Sequence, residues 1–224
     1  MFSGAIRPLF VTIEGTDFSG KSTLARNLQP LFSGVSHCFT REPGGSPIAE
    51  RLREVLLDPE LDMNPWTEAY LYASARADHV RGKIRPSLES GQFVVCERFL
   101  DSSLAYQGYG RGLGVAAVRA LNARAVEEVE PDLTFYLRLS SEERAWRAQE
   151  AEASLDRIER MGSEFIQRVG EGFEELAASE PDRIKVLDAG RSPEELVEMV
   201  AKEILDLPEA RKHIKSHVQR YPRQ

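Results

Sequence analysis

A glycine-rich loop between a strand-like and a helix-like segment constrains this chain more than any other feature. The phosphate-binding pattern G-x-x-x-x-G-K-[S/T] is matched by Gly15-Thr16-Asp17-Phe18-Ser19-Gly20-Lys21-Ser22. The apolar residues 9–13 precede the loop, and helix-forming residues from 23 onwards follow it. Such a loop points backbone N–H groups at phosphate oxygens, next to the positive end of a helix. The sequence therefore predicts a phosphate site in which Lys21 supplies charge and Ser22 offers a hydroxyl to Mg²⁺.

Composition narrows the class of protein. The 224 residues are 42% hydrophobic and 29% charged, which suits one α/β domain, expected over residues 1–207. The net charge of −7 argues against nucleic acid as a partner. No apolar run approaches the roughly 20 residues that span a bilayer, so we expect no membrane association and a cytoplasmic location. Residues 208–224 form a basic tail, and Cys38 and Cys96 are expected to be buried free thiols.

Strand-like and helix-like segments alternate along the chain. Strands are predicted at 9–13, 35–39, 93–96, 133–137 and 184–187, with helices between them, including a long one over 66–89. This alternation predicts an α/β fold with a parallel five-stranded sheet and helices on both faces. The glycines of residues 101–112 indicate either backbone exposed to a ligand or a flexible loop. The charged residues from about 144 to 158 are predicted to be either a mobile flap or a solvated helix face.

Charged residues cluster where strands of this sheet would end. Ligands of open α/β sheets bind at the carboxyl ends of strands, where Arg41, Glu97 and Arg98 would lie. Tyr72 and Arg76 are four residues apart and so share a helix face. They are either a base-and-phosphate pair or a core tyrosine with a surface arginine. No Asn-Lys-x-Asp run for reading guanine is present in the sequence, which leaves an ATP site beside a second phosphate or sugar site.

Five short runs, in order, resemble the signatures of the thymidylate kinase family. They are EGTD at 14–17, REPGG at 41–45, YASAR at 72–76, SSLAYQG at 102–108 and DRIE at 156–159. The resemblance covers about residues 8–205. It implies a three-layer P-loop kinase fold with a lid at about 144–158, and a homodimer. It also implies transfer of the γ-phosphoryl group of Mg·ATP to dTMP, giving dTDP for dTTP synthesis.

The resemblance also implies the site residues. ATP would contact Gly15, Thr16, Asp17, Phe18, Ser19, Gly20, Lys21, Ser22, Thr23 and Arg191. The acceptor dTMP would contact Asp17, Arg41, Pro43, Tyr72, Arg76, Arg98, Ser102, Ser103, Tyr106 and Gln107. Within that set Asp17 would lie near the 3′-hydroxyl, the arginines would hold the phosphate, Tyr72 would stack on thymine and Gln107 would read the edge of the base. Tyr106 would pack on the deoxyribose and disfavour a 2′-hydroxyl. The catalytic residues would be Lys21, Arg98, Asp17, Arg147 and Arg157, and the metal ligands Ser22 and Glu97.

The chain departs from the family pattern at two places that bear on chemistry. Glu97 stands where an aspartate is usual, and Phe18 stands where some members carry an arginine for the transition state. We therefore hypothesise that Arg147 or Arg157 takes that role. Glu97 leaves open a thymidine kinase, with the glutamate as base on a sugar hydroxyl. Phe18 and the acidic lid leave open a catalytically weakened nucleotide-binding protein that acts through interaction.

Overall fold

The computed structural model describes residues 8–150 and 156–207. Its centre is a five-stranded parallel sheet in the order β2-β3-β1-β4-β5. The strands are β1 Phe10–Gly15, β2 His37–Arg41, β3 Phe93–Glu97, β4 Leu133–Arg138 and β5 Ile184–Asp188. Arg41 of β2 and Ile13 of β1 are both in register with Glu97 of β3, so the carboxyl ends of these strands meet at one edge. The predicted parallel sheet is confirmed.

Helices connect the strands. They are α1 Lys21–Leu28, α2 Pro47–Leu57, α3 Pro65–His79, α4 Arg85–Glu89, α5 Leu100–Ser103, α6 Val115–Val126, α7 Ser141–Glu150, α8 Ser163–Ser179 and α9 Pro193–Asp206. A 3₁₀ turn, Gln29–Phe32, continues α1, and a π-helical turn, Val80–Ile84, joins α3 to α4. The helical path predicted over 66–89 is thus continuous. Within residues 8–150 and 156–207, no helix has the length and apolar content needed to cross a membrane.

The sheet separates two apolar layers because successive strand residues point to opposite faces. Ile13 and Phe135 point to one face, where they join the cluster that contains Leu24 of α1 and Val200 of α9. Tyr136 points to the other face and packs with residues of α8. Helices therefore cover both faces, and the expected three-layer fold is confirmed.

The interpretation of residues 101–112 as a flexible loop is wrong for residues 101–110. These residues lie in α5 and in a π-helical segment, Leu104–Gly110, that is almost entirely buried. Gly110 serves packing: a Cβ there would lie 2.7 Å from the Phe165 ring of α8. Contact at that distance is excluded for a real side chain, so glycine is what allows α8 to approach. The glycine pattern alone suggests exposure because the closely packed helix is remote in sequence.

Other expectations fall partly outside the described residues. Of the predicted lid at about 144–158, the structure describes the residues up to Glu150 and again from Asp156. The predicted tail at 208–224 lies outside the described residues. Both cysteines are free thiols as predicted, but only Cys96 is buried and Cys38 is half-buried.

Candidate active site

A cavity of about 460 Å³ opens at the carboxyl ends of the strands. One part of its wall comes from the glycine-rich loop and the start of α1, including Phe18, Lys21 and Ser22. The other part comes from the end of β2 and the residues after it, from α2 and α3, and from β3 and the segment after it. It includes Arg41, Pro43, Arg53, Tyr72, Arg76, Glu97, Arg98, Ser102, Ser103, Tyr106 and Gln107. The structure thus brings most of the predicted ATP and acceptor residues into one space.

The glycine-rich loop has the backbone that its sequence predicts. Gly20 has a φ of 91° at the start of α1, in the left-handed region that favours glycine. A Cβ on Gly15 would lie 2.7 Å from the carbonyl oxygen of Leu137, so the loop passes too close to β4 for any other residue. Lys21 is buried and its Nζ donates a hydrogen bond to the Thr16 carbonyl oxygen at 2.7 Å. Burial, with Arg98 nearby, lowers the pKa of Lys21 to about 8.

Asp17 and Arg98 form the ion pair that joins the loop to β3. Arg98 Nη2 lies 2.5 Å from Asp17 Oδ1, and Arg98 Nη1 donates to the Gly15 carbonyl oxygen at 2.8 Å. The hydroxyl of Tyr106 donates to Asp17 Oδ2 at 3.1 Å, and the Arg98 guanidinium lies 5.1 Å from the Tyr106 ring centre. Burial by itself would raise the pKa of Asp17, but Arg98 and Lys21 lower it to about 2. Asp17 is therefore an ionised acceptor at neutral pH.

Glu14 supports this pair from beneath the cavity. Its side chain is fully buried and accepts hydrogen bonds from the Phe99 N–H at 2.7 Å and from Ser102 Oγ at 2.5 Å. Ser102 Oγ in turn accepts from Arg98 Nη1 at 3.2 Å. Burial, reinforced by Asp101, raises the pKa of Glu14 to about 7. Ser102 is thus fixed between Glu14 and Arg98 at the cavity wall.

Ser22 and Glu97 are in direct contact. Ser22 Oγ donates a hydrogen bond to Glu97 Oε1 at 2.8 Å. The hydroxyl of the loop and the carboxylate at the end of β3 therefore lie side by side. Both offer oxygen atoms, the donors that Mg²⁺ prefers. Among the described residues, no group of three or more His, Cys, Asp or Glu side chains is arranged to hold a metal ion. A metal at Ser22 and Glu97 would therefore depend on oxygens from a ligand.

Two arginines of the acceptor side differ in how firmly they are held. Arg41 makes a two-pronged ion pair with Glu50, at 2.8 and 3.0 Å, and stays partly exposed. Arg53 lines the same wall and donates to the Pro43 carbonyl oxygen at 2.9 Å. Burial and the neighbouring Arg41 lower the pKa of Arg53.

Sequence reasoning missed Arg53, although a signal was available. Arg53 follows buried Ala49 by four residues and precedes buried Leu56 by three, so it lies on the inner face of α2.

Arg76 is buried rather than exposed, so the alternative of a core tyrosine with a surface arginine is wrong for it. Only 2% of its side chain is accessible. Its guanidinium donates to Glu42 Oε2 at 2.8 Å, to the Phe99 carbonyl oxygen at 2.9 Å, and to two further side chains, Ser103 and Asn122. Most of its donors are therefore used within the protein. Contact with an acceptor phosphate remains a prediction for Arg76.

The two arginines hypothesised for the transition state lie in different places. Arg147 of α7 lines the cavity, with Nη1 3.4 Å from the Phe18 carbonyl oxygen and Nη2 2.8 Å from that of Ala189. Arg157 is 8% exposed and lies outside the cavity wall, where its Nε donates to the Leu56 carbonyl oxygen. The structure brings Arg147, and not Arg157, to the glycine-rich loop.

Four predicted ATP contacts lie outside the cavity wall. Arg191 is about half-exposed, and its Nη1 lies 3.5 Å from Glu195 Oε1. Gly15, Thr16 and Ser19 are buried within the loop itself. A role for each in binding ATP stays a prediction.

Glu68 is the other residue that sequence reasoning missed. It is fully buried on α3 and accepts hydrogen bonds from Gln107 at 2.9 Å, Arg111 at 2.6 Å and Arg157 at 2.7 Å. Its spacing carried a signal, because Glu68, Tyr72 and Arg76 are four apart and so share one helix face.

Comparison with known proteins gives one consistent family. The family model described as thymidylate kinase matches residues 13–200. A thymidylate kinase of Symbiobacterium thermophilum is 49% identical over 191 residues, covering 84% of this chain and 88% of the relative. One of Enterococcus faecalis is 45% identical over 203 residues, covering 88% and 96%. The crystal structure of the Ehrlichia chaffeensis thymidylate kinase superposes with a TM-score of 0.70 at 29% identity, covering 87% and 97%.

The Asp17–Arg98 pair predicts a pH dependence of stability. Because the pKa of Asp17 falls from 3.8 to about 2 on folding, its contribution is present above pH 4 and is lost as the pH falls to about 2. The free energy of unfolding of the wild type should exceed that of Asp17→Asn by a margin that shrinks by about 2 kcal/mol over this range. Urea unfolding at a series of pH values measures the margin.

Asp62→Asn, at an exposed position outside the cavity, is the matched control for this prediction. A wild-type margin over Asp17→Asn that stays constant between pH 7 and pH 2 would show that the ion pair does not lower the pKa of Asp17.

Proposed function

The chain belongs to the thymidylate kinase family and phosphorylates dTMP, and from this premise we propose that the cavity binds Mg·ATP and dTMP together. One observation carries the proposal: the same cavity contains a phosphate-binding loop and an arginine-lined pocket, joined by Asp17 and Arg98. The donor phosphate would lie on the loop and the acceptor phosphate among Arg41, Arg53 and Arg98. The γ-phosphoryl group would then pass between them within one enclosed space.

The reaction needs positioning and charge compensation more than proton transfer. The second pKa of a phosphate monoester is about 6, so the acceptor is largely a dianion at neutral pH and requires no general base. Its approach to ATP brings two anions together, and Lys21 with the arginines offsets that repulsion. Arg98 suits this role because Asp17, Ser102 and the Gly15 carbonyl hold its guanidinium in one orientation.

Ser22 and Glu97 would hold Mg²⁺. Their oxygens are already 2.8 Å apart, and Mg²⁺ typically takes only one or two carboxylates from the protein and completes its shell with phosphates and water. When bound, the ion would neutralise charge on the phosphates of ATP. Glu97, which stands where an aspartate is usual, reaches Ser22 with its carboxylate from the end of β3.

The remaining wall residues would bind the nucleoside. Tyr72 of α3 and Gln107 of the segment after α5 both line the cavity. These two side chains would contact thymine. Asp17, ionised and beside the Tyr106 hydroxyl, would accept a hydrogen bond from the 3′-hydroxyl. Tyr106 is nearly buried against Phe165 and Phe173, so its ring cannot easily move to admit a 2′-hydroxyl.

Arg147 is the arginine best placed to stabilise the transition state. Its guanidinium approaches the glycine-rich loop at the carbonyl oxygen of Phe18. Phe18 occupies the position at which some family members carry the transition-state arginine. Arg157 is tied to Glu68 and the Leu56 carbonyl, away from the cavity. The acidic lid residues therefore do not require the protein to be catalytically weak. The thymidine kinase alternative is disfavoured in turn, because Ser22 engages the Glu97 carboxylate that would have to act as base.

We also propose a homodimer formed through α2 and α3. These helices pack on each other, and Ile48, Val55, Trp66 and Tyr70 remain 41–58% exposed on them. The spacings of seven and four residues place each pair on one helix face. An apolar face of this kind suits a second copy of the same chain. The cytoplasmic location, the absence of nucleic-acid partners, the single domain over 1–207 and the role of the tail stay predictions.

An ADP-release assay tests the function. With Mg·ATP, we expect rapid turnover of dTMP and little turnover of thymidine. Glu97→Gln should need a higher Mg²⁺ concentration for half-maximal rate, because one charged ligand is lost. Turnover of thymidine in preference to dTMP would make Glu97 a base and the enzyme a nucleoside kinase. Nucleotide binding without turnover of any acceptor would favour the interaction protein.

Replacing Arg147 should slow the chemical step. We expect Arg147→Ala to lower kcat for dTMP by about 10³-fold, with a much smaller change in KM, because the charge acts mainly in the transition state. Arg168→Ala is the matched control: Arg168 also pairs with a glutamate four residues earlier and with one backbone carbonyl, but on α8. Wild-type kcat in Arg147→Ala would exclude the role.

The dimer proposal predicts a change of assembly. The wild-type protein should sediment as two copies of the chain, and a Trp66→Lys, Tyr70→Lys double variant as one, because buried lysines would oppose contact. Trp146→Lys, at a similarly exposed tryptophan of α7, should leave assembly unchanged. A wild-type monomer at micromolar concentration, or an intact dimer in the double variant, would contradict the assignment.

A further inference from the structure

Glu68 connects three parts of the chain at a buried point. It lies on α3 with no exposed surface, and it accepts hydrogen bonds from Gln107 and Arg111 after α5 and from Arg157 at the end of the lid. Of these partners, only Gln107 lies in the cavity wall. The geometry at Glu68 therefore bears on how Gln107 faces a ligand.

The carboxylate of Glu68 is ionised in this setting. Burial would raise its pKa, but the hydrogen bonds from Arg111, Gln107 and Arg157 lower it. An ionised carboxylate only accepts hydrogen bonds, whereas an amide has one donating and one accepting end. Gln107 must therefore turn its Nε2 to Glu68, and Nε2 lies 2.9 Å from Glu68 Oε1. The amide oxygen of Gln107 accepts no hydrogen bond from residues 8–150 or 156–207.

We propose that Glu68 is a specificity-determining positioning residue, which selects the base of the acceptor by fixing the amide of Gln107 with its oxygen towards the cavity. The inference rests on the proposed binding of the base at Gln107. Thymine and uracil carry a hydrogen on N3 and can donate to that oxygen. Cytosine has no hydrogen on N3 and would bring a second acceptor to it. The orientation set by Glu68 thus favours a nucleotide with an N3–H over dCMP.

Glu68→Gln should reverse the orientation of Gln107. The Glu68 Oε2 position accepts from Arg111 Nη2 at 2.6 Å and from Arg157 Nη1 at 2.7 Å. Apart from Gln107, the Oε1 position accepts only the longer bond from Arg111 Nε, at 3.2 Å, so a new amide would place its oxygen at the Oε2 position. Its NH₂ group would then face Gln107, which would turn its own oxygen to that group and its Nε2 to the cavity. The changed site would offer a donor to the base, which suits N3 of cytosine and opposes N3–H.

The measurement is kcat/KM for dTMP, dUMP and dCMP with the full-length wild type and Glu68→Gln. We expect the ratio of dTMP to dCMP to fall about tenfold or more in the variant, with dUMP changing in parallel with dTMP. A ratio measured on one preparation does not depend on how much of the protein is folded. A loss confined to stability would lower all three values equally and leave the ratio unchanged.

Two further variants sharpen the test. Arg111→Gln removes another partner of Glu68 but leaves the Gln107 and Arg157 bonds, so it should retain the wild-type ratio. Gln107→Leu should lose the discrimination by itself, and adding Glu68→Gln to it should change the ratio no further.

The outcomes separate a failure of the proposed role of Glu68 from a failure of the proposed function. Wild-type turnover of dTMP, with an unchanged ratio in Glu68→Gln or a changed ratio in Arg111→Gln, would overturn the role of Glu68 alone. Full discrimination in Gln107→Leu would overturn it as well, since Gln107 would then not read the base. A wild type that phosphorylates none of the three nucleotides would instead contradict the proposed function.

Discussion

The ion pair between Asp17 and Arg98 is the contact on which the rest of the site depends. Arg98 leaves β3 with a positive φ of 64°, which is uncommon for a residue with a side chain. The guanidinium turns back to the neighbouring β1 and meets both the Asp17 carboxylate and the Gly15 carbonyl. The phosphate-binding loop and the pocket beside it are thereby held in one geometry. The glycine-rich loop and the arginines at the ends of the neighbouring strands therefore line one cavity.

Buried carboxylates hold side chains of the cavity wall in place through hydrogen bonds. An isolated charge in a protein interior is costly, so each such group needs several hydrogen-bond partners. Glu14 fixes Ser102, Glu42 accepts from Arg76 and His79, and Glu68 accepts from Gln107 and two arginines. In each case the partner, or a residue bonded to it, lies in the cavity wall. The buried polar groups next to the cavity thus orient side chains of its wall.

The contrast between Arg147 and Arg157 shows how position decides chemistry within one segment. The two arginines are ten residues apart in the sequence and both belong to the predicted lid. Arg147 is turned towards the Phe18 carbonyl, whereas Arg157 packs against α2 and Glu68. Arg147 therefore lies beside the glycine-rich loop, and Arg157 joins the end of the predicted lid to α2 and α3.

The sequence by itself determined the sheet, the phosphate loop and the family, because these depend on local patterns. Alternating apolar segments predicted the five parallel strands, and the spacing of Gly15, Gly20 and Lys21 predicted the loop. It did not reveal that Gly110 serves helix packing, since Phe165 is more than fifty residues away.

Only the tertiary structure decided which charged residues meet. Arg53 and Glu68 belong to none of the sequence motifs, and the motif that contains Arg157 does not reveal its burial against Glu68. The burial and the partners of a charged side chain come from elements distant in the chain. Long-range contacts set those features, and local sequence therefore predicts the framework of this site better than the roles within it.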